Sequence, residues 1–381
     1  MTSGDAPPVR AVLSAALDAV GLPTTSAGRT SAQDRADLGL PEASKVCVVL
    51  VDGLGMRMLT ERGGHAPFLR SRLGDALTLR STFPSTTATA ITAVGTGELP
   101  GVTGMLGYSV RDPLHGGTLN LIGWEDTRLR PREWQRADTL PEQLLRRDDA
   151  PDLPRIVSVG PARFVGSGLT ECALRGMRNV SAESLADRVA VTAAELRRPD
   201  VAAVYLYWGE VDHLGHKHGW GSWQWGEEVN ATDGELAGLA RRLPAGTLLL
   251  ITADHGMLDV ADRIDVATVP ALSQDVTLVA GEGRAAHVYT ADGTAPAVAA
   301  RWREVLGERA WVAQRHEVVE SGLFGAVTDR ADAAGDVMAV MAGRDVVVDS
   351  RTQPPGMVEL IGVHGGLTDD EMDVPLIRTV V

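Results

Sequence analysis

The stretch LLLITADHGM, residues 248–257, decides the fold, because it combines a buried-strand pattern with a charged end. Five apolar or β-branched residues precede Ala253, and Asp254, His255 and Gly256 follow. A single Asp-His-Gly sequence at a strand end is most often a polar turn. The interpretation therefore depends on whether other strands of the chain end in the same way.

Further apolar runs of strand length alternate with helical patterns along the chain. The predicted strands are residues 45–51, 155–160, 201–208, 247–252 and 358–363. The predicted helices are residues 8–20, 181–198, 226–243 and 295–307. Continuous apolar strands that alternate with helices predict an α/β fold, in which a mostly parallel sheet is covered by helices on both faces.

The length of 381 residues favours one large domain with a smaller insertion. We predict an N-terminal helix and connecting segment over residues 1–44 and a catalytic α/β core over residues 45–259. Residues 260–357 differ in pattern and are predicted to form a smaller inserted module. Residues 358–381 are predicted to return to the core.

Charge and cysteine content limit the functional classes. Lys and Arg total 36 against 50 for Asp and Glu, a net charge of −14, which argues against a nucleic-acid polymer as partner. A small phosphate substrate remains compatible, because bound metal ions can supply local positive charge. Cys47 and Cys172 suggest no disulfide framework, no 18-residue apolar span is found, and we expect no secretory signal. We expect a cytoplasmic protein without a membrane partner; the oligomeric state is left open.

Four of the predicted strands lead into carboxylate or imidazole side chains. The candidates are Asp52 after the first strand, Asp212, His213, His216 and His218 after the third, Asp254 and His255 after the fourth, and His364 after the last. In open α/β sheets, ligands gather at the carboxyl ends of the strands. Asp and His suit Zn²⁺ and related divalent ions, and the set is too large for one tetrahedral ion with an open position. Two ions sharing the set would suit an in-line phosphoryl displacement.

A nucleophile is suggested by TFPSTTATAITAVGTG, residues 82–97. Ser85, Thr86 and Thr87 precede or begin a helix-like segment of small residues. A hydroxyl at a helix N-terminus meets free N–H groups and the positive end of the helix dipole, which suits an anion. From the residues alone, a role of all three side chains as helix caps is favoured.

Together these motifs resemble the alkaline phosphatase superfamily, specifically its type I phosphodiesterase / nucleotide pyrophosphatase branch. The matching motifs, spread over residues 45–377, are VDGLG (51–55), PSTTATAITAVGTG (84–97), DHLGH (212–216), ADHGM (253–257) and HGG (364–366). The resemblance implies an alkaline-phosphatase-like α/β fold with two zinc ions, and other divalent ions such as Mn²⁺ are compatible with it.

The resemblance also assigns residues. Pro84, Thr87, Thr96 and Gly97 meet the spacing of the branch, so Thr87 is the implied nucleophile. By the same resemblance Asp212, His216 and His364 hold one zinc ion. Asp52, Asp254 and His255 hold the other, together with Thr87. Tyr108 occupies the position of an Asn that binds a phosphoryl oxygen in the branch, and we predict that it binds substrate.

The implied activity is hydrolysis of a small phosphodiester or nucleotide pyrophosphate through a covalent phosphoryl-Thr87. Phosphomonoesterase, phosphonoacetate hydrolase and phosphoglycerate mutase relatives remain alternatives, as does a non-catalytic metal-binding protein. The sulfatase branch is disfavoured because neither cysteine lies in a Cys-x-Pro-x-Arg motif. Trp220, Trp223 and Trp225 are interpreted either as a wall of the substrate cleft or as packing at a helix start.

Overall fold

A computed structural model describes residues 6–125, 127–150 and 153–381. In these residues the strands are β1 (Thr25–Ser26), β2 (Arg29–Thr30), β3 (Lys45–Val51), β4 (Leu77–Arg80), β5 (Ser109–Arg111), β6 (Thr118–Asn120), β7 (Arg155–Gly160), β8 (Arg178–Ser181), β9 (Val201–Trp208), β10 (Thr247–Thr252), β11 (Leu258–Asp259), β12 (Arg263–Asp265), β13 (Val276–Glu282), β14 (Ala285–Thr290), β15 (Ala310–Gln314), β16 (Val337–Met341), β17 (Val346–Val348), β18 (Gly362–Val363) and β19 (Asp373–Val380).

The α-helices of the same residues vary from one turn to five. They are α1 (Ala11–Ala19), α2 (Ser31–Asp37), α3 (Met56–Arg62), α4 (Pro67–Arg70), α5 (Thr87–Thr96), α6 (Pro100–Thr103), α7 (Pro131–Trp134), α8 (Leu140–Leu145), α9 (Gly168–Ala173), α10 (Leu185–Leu196), α11 (Glu210–His218), α12 (Trp223–Arg242), α13 (Pro270–Ser273), α14 (Ala295–Leu306), α15 (Arg315–Glu320), α16 (Pro355–Val358) and α17 (Asp369–Met372).

A central sheet of seven strands, in the order β4-β19-β10-β3-β9-β7-β8, confirms the predicted α/β fold. The strands β10, β3, β9, β7 and β8 are parallel to one another. β19 lies between β10 and β4 and is antiparallel to both. All six residues of β10 and six of the seven in β3 are buried, which explains their continuous apolar sequences.

Helices flank this sheet in two groups. α1 packs on β3 and on α5, whereas α10 packs on β7, β9 and α12. The predicted helices at 8–20, 181–198, 226–243 and 295–307 are confirmed as α1, α10, α12 and α14. No helix in the described part of the chain is long and apolar enough to cross a membrane.

The predicted strand at 358–363 is wrong. Val358 is instead the last residue of the one-turn helix α16. Only Gly362 and Val363 form a strand, β18, which pairs with β11 outside the central sheet. Pro354 and Pro355 account for the start of α16, which takes up Val358, the first residue of the predicted strand. The seventh strand of the central sheet is β19.

The chain between β12 and β17 builds a second, antiparallel sheet in the order β13-β14-β16-β15. α14 packs on this sheet, and its Trp302 is fully buried in a separate hydrophobic core. Another core joins the sheet to the chain on both sides of α5, through Phe83, Met105 and Leu106 against Ala285 and Met338. The limits 260–357 of the inserted module stay a prediction.

Candidate active site

Asp52 and Asp254 follow the adjacent parallel strands β3 and β10, and both are buried. Asp254 Oδ1 accepts hydrogen bonds from the backbone N–H groups of Gly53, at 3.1 Å, and His255, at 3.0 Å. Gly53 has a φ of +72°, and a Cβ there would lie 2.9 Å from the Cβ of Asp212. The glycine therefore permits both the left-handed turn and the close approach of the third carboxylate.

Asp52, Asp254 and His255 form what we call the first group, whose candidate ligand atoms lie within 4.8 Å of one another. His255 Nε2 is 3.4 Å from Asp52 Oδ1 and 3.4 Å from Asp254 Oδ2. His255 Nδ1 donates to the carbonyl of Gly256 at 2.9 Å. This bond orients the ring so that Nε2 faces the two carboxylates, as in metal-binding histidines.

Asp212, His216 and His364 form the second group. His216 Nε2 lies 3.2 Å from Asp212 Oδ2 and 3.3 Å from His364 Nε2. The Nδ1 atoms of the two rings donate to backbone carbonyls, that of His216 to Gly362 at 2.7 Å and that of His364 to Ser85 at 2.9 Å. Both Nε2 lone pairs therefore point towards the same place, which suits a shared cation.

The two groups adjoin through His255. Its ring stacks on the ring of His364 with 3.6 Å between centroids, and its ligand atom also lies within 4.8 Å of those of Asp212 and His364. The structure thus brings together all six side chains that the sequence predicted as metal ligands. By contrast His213, on the same helix as His216, is exposed.

Thr87 is the first residue of α5, a helix whose ten residues are all buried. Its hydroxyl lies 3.2 Å from His255 Nε2 and 3.5 Å from each carboxylate oxygen of Asp52. The Ser85 hydroxyl instead donates to the carbonyl of Gly366 at 2.8 Å, and that of Thr86 lies near the Glu282 carboxyl. Of the three candidate hydroxyls, that of Thr87 faces the first group.

The electrostatics of the site favour a bound cation. Burial, reinforced by neighbouring carboxylates, raises the pKa of Asp52 well above its ordinary value, and burial also raises the pKa of Asp254. Burial opposes the charge of Asp212, but the His216 imidazole outweighs it and lowers the pKa of this carboxyl. Burial lowers the pKa of His364. Three clustered carboxylates are costly to bury without compensating positive charge.

Two oxygen atoms show where that charge would be placed. Asp254 Oδ2 and Asp212 Oδ1, one in each group, are buried without a hydrogen-bond partner among the described residues. Carboxylate oxygens and imidazole nitrogens in this ratio match the ligand preferences of Zn²⁺ and related divalent ions. The residues present therefore fit the metal ions that the sequence predicts.

Two further residues of the site were missed by the sequence analysis. Tyr207, in β9, donates its hydroxyl hydrogen to Asp52 Oδ2. Glu282, at the end of β13, accepts the backbone N–H of Tyr108. The pairing of β3 with β9 could have suggested Tyr207, because it lies one residue from the end of the strand beside Asp52. Nothing in the local sequence signals Glu282.

The hydroxyl oxygen of Tyr108 accepts a hydrogen bond from Asn120 Nδ2 at 2.8 Å. The amide supplies its own hydrogen in this contact, so the hydroxyl hydrogen of Tyr108 remains free to donate. Tyr108 also lines a cavity beside Thr87. These features are compatible with substrate binding, and the role of Tyr108 stays a prediction.

Two cavities meet at Thr87. The larger cavity, of about 510 Å³, extends from Thr87 towards the strands β7 and β9 and the helix α9. The smaller cavity, of about 350 Å³, extends towards Glu282 and the chain near β17 and β18. Thr87, Asp212 and Ile122 line both cavities.

The tryptophans lie elsewhere. Trp220, Trp223 and Trp225 line neither cavity. Trp225 is fully buried, Trp220 packs against it at 6.4 Å between ring centroids, and Trp223 is 66% exposed. The interpretation as packing at the start of α12 is therefore supported, and the interpretation as a wall of the cleft is wrong.

The sequence model of the type I phosphodiesterase / nucleotide pyrophosphatase family matches residues 46–367. The chain belongs to this family. Membership confirms the relationship that the five motifs suggested and identifies the chain as a hydrolase of the phosphodiesterase, pyrophosphatase or phosphonoacetate hydrolase type. The family is metal-dependent, in agreement with the two groups of candidate ligands.

Solved structures share the fold. Murine ectonucleotide pyrophosphatase / phosphodiesterase 5 is 18% identical, with 87% of each chain covered and a TM-score of 0.69. Phosphonoacetate hydrolase from Sinorhizobium meliloti 1021, in complex with phosphonoformate, is 20% identical, with 93% of this chain and 92% of that chain covered and a TM-score of 0.69. A search of curated proteins gives no significant match.

Proposed function

We propose that this hydrolase is a phosphodiesterase or nucleotide pyrophosphatase that acts through a covalent phosphoryl-Thr87 at a two-zinc site. One observation carries the proposal: the Thr87 hydroxyl lies beside the first group, at the place where two cavities meet. A hydroxyl in this position is close to the ligands that would hold a metal ion and is open to a substrate from two sides.

In this proposal Asp52, Asp254 and His255 hold one zinc ion with Thr87, and Asp212, His216 and His364 hold the other. Bound zinc would supply the positive charge that favours the Thr87 alkoxide and stabilises negative charge on the phosphoryl oxygens. The Tyr207 hydroxyl, which donates to Asp52, orients this carboxylate. The N-terminal N–H groups of α5 face the region of the phosphoryl group and favour an anion there.

The chemistry follows from the position of Thr87. Its Oγ attacks phosphorus, the bond from phosphorus to the leaving oxygen breaks, and the leaving group departs as an alcohol or a phosphate. Water then attacks the phosphoryl-Thr87 phosphorus and releases the Thr87 hydroxyl, leaving a phosphate monoester as product. An inactive variant of murine ectonucleotide pyrophosphatase / phosphodiesterase 5, with a threonine replaced by alanine, has been solved in complex with AMP, which supports this assignment.

The two cavities favour a diester over a monoester. A diester carries a substituent on each side of phosphorus, and each cavity can accept one. Among the described residues, the smaller cavity is lined by Glu282 and by no Lys or Arg. A monoester would bring an additional negative oxygen without a cationic side chain of the smaller cavity to receive it.

Phosphonoacetate hydrolysis is the second candidate, supported by the shared fold and by the bound phosphonoformate of that relative. Its substrate carries a carboxylate, for which Arg163, exposed at the rim of the larger cavity, is the cation among the lining residues. A panel on zinc-loaded protein separates the candidates: a phosphodiester, a dinucleotide pyrophosphate, a monoester and phosphonoacetate. We expect the highest kcat/KM for the diester or the pyrophosphate; preference for phosphonoacetate or the monoester would refute the proposal.

A further inference from the structure

The larger cavity contains a phenol with no protein partner. Tyr205, in β9, is 1% exposed, lines this cavity, and its hydroxyl has no hydrogen-bond partner among the described residues. A buried hydroxyl without a hydrogen-bond partner is destabilising. Burial raises the pKa of Tyr205 well above its ordinary value, so the phenol keeps its hydrogen and remains a donor.

A second hydroxyl residue, Ser158, lines the same cavity. Ser158 of β7 is the register partner of Tyr205 of β9 in the parallel pair, so both side chains project from the same face of the sheet. Tyr207, two residues after Tyr205 and on the same face, donates to the metal-ligand candidate Asp52. Tyr205 and Ser158 thus lie further from the carboxyl ends of the strands than Tyr207, which contacts the predicted reaction centre.

The accessible surface of the surrounding wall is mostly apolar, although Glu125, Ser167, Thr170 and Asn179 also line it. Ile91 of α5, Leu174 and Val159 line the cavity with the two hydroxyls, while Phe164 and the exposed Arg163 lie after the end of β7. Ile91 is one helical turn after Thr87 on the same helix. A pocket with a mostly apolar surface binds the body of a ligand by contact, and placed polar groups fix the orientation of the ligand.

We infer that Tyr205 and Ser158 are specificity-determining residues that donate hydrogen bonds to an acceptor at the far end of one phosphodiester substituent. The substituent is an apolar or aromatic group that carries a carbonyl oxygen or an equivalent acceptor. This inference rests on the proposed phosphodiesterase function and adds to it the chemistry of the group that enters the larger cavity. A hydrogen-bonding site of this kind discriminates against an isostere that lacks the acceptor, because the buried donor is then left unpaired.

A matched pair of substrates tests the inference on the zinc-loaded enzyme. The p-nitrophenyl 4-acetylbenzyl and 4-isopropenylbenzyl phosphodiesters have the same leaving group and nearly the same shape, but only the first carries a carbonyl oxygen. The quantity measured is the ratio of their kcat/KM values. We expect the wild-type ratio to favour the acetyl substrate, and Tyr205→Phe to reduce it about 10-fold, since one hydrogen bond in a buried site is lost.

The ratio separates specificity from general damage, because a structural defect lowers both rates together. Ser158→Ala provides a second variant, for which we expect a smaller decrease in the same ratio. A further readout needs no turnover: Tyr205→Phe should not lower the melting temperature of the free protein, since the hydroxyl has no protein partner to lose. An unchanged ratio in both variants, or a lowered melting temperature in Tyr205→Phe, would overturn the inference. Failure of the wild type to hydrolyse either diester would instead refute the proposed function.

Discussion

Arg284 and Glu371 form a two-pronged ion pair with both side chains completely buried. Arg284 Nε lies 3.0 Å from Glu371 Oε1, and Nη2 lies 2.9 Å from Oε2. Glu371 also accepts the backbone N–H of Gly366 at 2.8 Å, two residues after His364. The pair therefore joins the turn between β13 and β14 to the loop that carries a predicted metal ligand.

Breaking this pair should damage both stability and metal binding. Arg284→Ala leaves the Glu371 carboxylate buried without its partner, which typically costs about 3–5 kcal/mol in the free energy of unfolding. Displacement of the Gly366 loop should also weaken zinc binding by roughly 10–100-fold, as loss of an outer hydrogen-bond partner does at metal sites. Urea unfolding and a zinc titration measure the two effects.

Arg303→Ala is the matched control. Arg303 pairs with Glu317 at 2.7 Å in the same part of the chain, but the two side chains are 45% and 39% exposed. Such exposed pairs contribute about 0–1 kcal/mol. Equal losses of stability in the two variants would show that burial of the Arg284 pair has no special role.

Thr87→Ala should reduce turnover by about 10³-fold or more, because it removes the predicted nucleophile. Zinc content and melting temperature should remain close to those of the wild type. Thr89→Ala is the control, since Thr89 is buried in the same helix but makes no hydrogen bond with its hydroxyl among the described residues. If Thr87→Ala keeps its rate while Thr86→Ala or Ser85→Ala does not, the nucleophile is misassigned.

Metal content should follow the two groups of ligands. We expect elemental analysis to give two divalent ions per active chain, chelation to abolish activity and zinc to restore it. His216→Ala should reduce the content towards one ion, whereas His213→Ala should retain two, because His213 is exposed on the same helix. One ion per chain in the fully active wild type would contradict the two-metal proposal.

The buried His287 should make the free energy of unfolding depend on pH. It is fully buried between the carbonyl of Leu106, at 2.7 Å, and the backbone N–H of Gly335, at 2.9 Å. Burial lowers the pKa of His287 to about 4. Since the unfolded chain takes up this proton nearer pH 6.5, the folded state loses up to roughly 3 kcal/mol as the pH falls from 6.5 to 4.

The measurement compares urea unfolding of the wild type and His287→Gln over this range of pH in metal-free protein. Stability of the wild type should fall more steeply towards acid, because the glutamine does not titrate. The two proteins share every other titrating group, including the active-site carboxylates. Parallel curves would show that protonation of His287 is not linked to unfolding.

Glu282 should contribute to rejection of monoesters. Its side chain lines the smaller cavity, and burial raises the pKa of Glu282 to about 7, so the carboxylate is ionised at pH 8. At that pH Glu282→Gln should raise the ratio of kcat/KM for p-nitrophenyl phosphate to that for a p-nitrophenyl diester, by about 3- to 10-fold for loss of one nearby charge. A lower ratio in the variant would indicate that the glutamate positions substrate rather than repelling charge.

The central sheet and the six metal-ligand candidates could be predicted because their signals are local. Strands such as β3 and β10 are continuous apolar runs, and the rule that ligands gather at carboxyl ends of parallel strands brings Asp52 and Asp254 together. The geometry of His216 agrees with its spacing from Asp212, since residues four apart lie on one face of α11.

The remaining features depend on contacts between distant parts of the chain. Glu282 reaches Tyr108 from 174 residues away, and Arg284 reaches Glu371 from 87 residues away. The prediction of a strand at 358–363 failed because β-propensity does not reveal which strands pair. The strand that pairs with β10, at the edge of the parallel strands, is β19. The Tyr205 hydroxyl could not be recognised as unpartnered without the cavity around it.

The turn between β13 and β14 has a consequence for how this chain can be shortened. Excision of residues 260–357 would spare every predicted zinc ligand. It would, however, remove the ion-pair partner of Glu371 and expose the apolar surfaces of Met105 and Leu106 to water. A smaller hydrolase cannot therefore be obtained by trimming. A grafted replacement would have to return an arginine to the same place and an apolar face beside it.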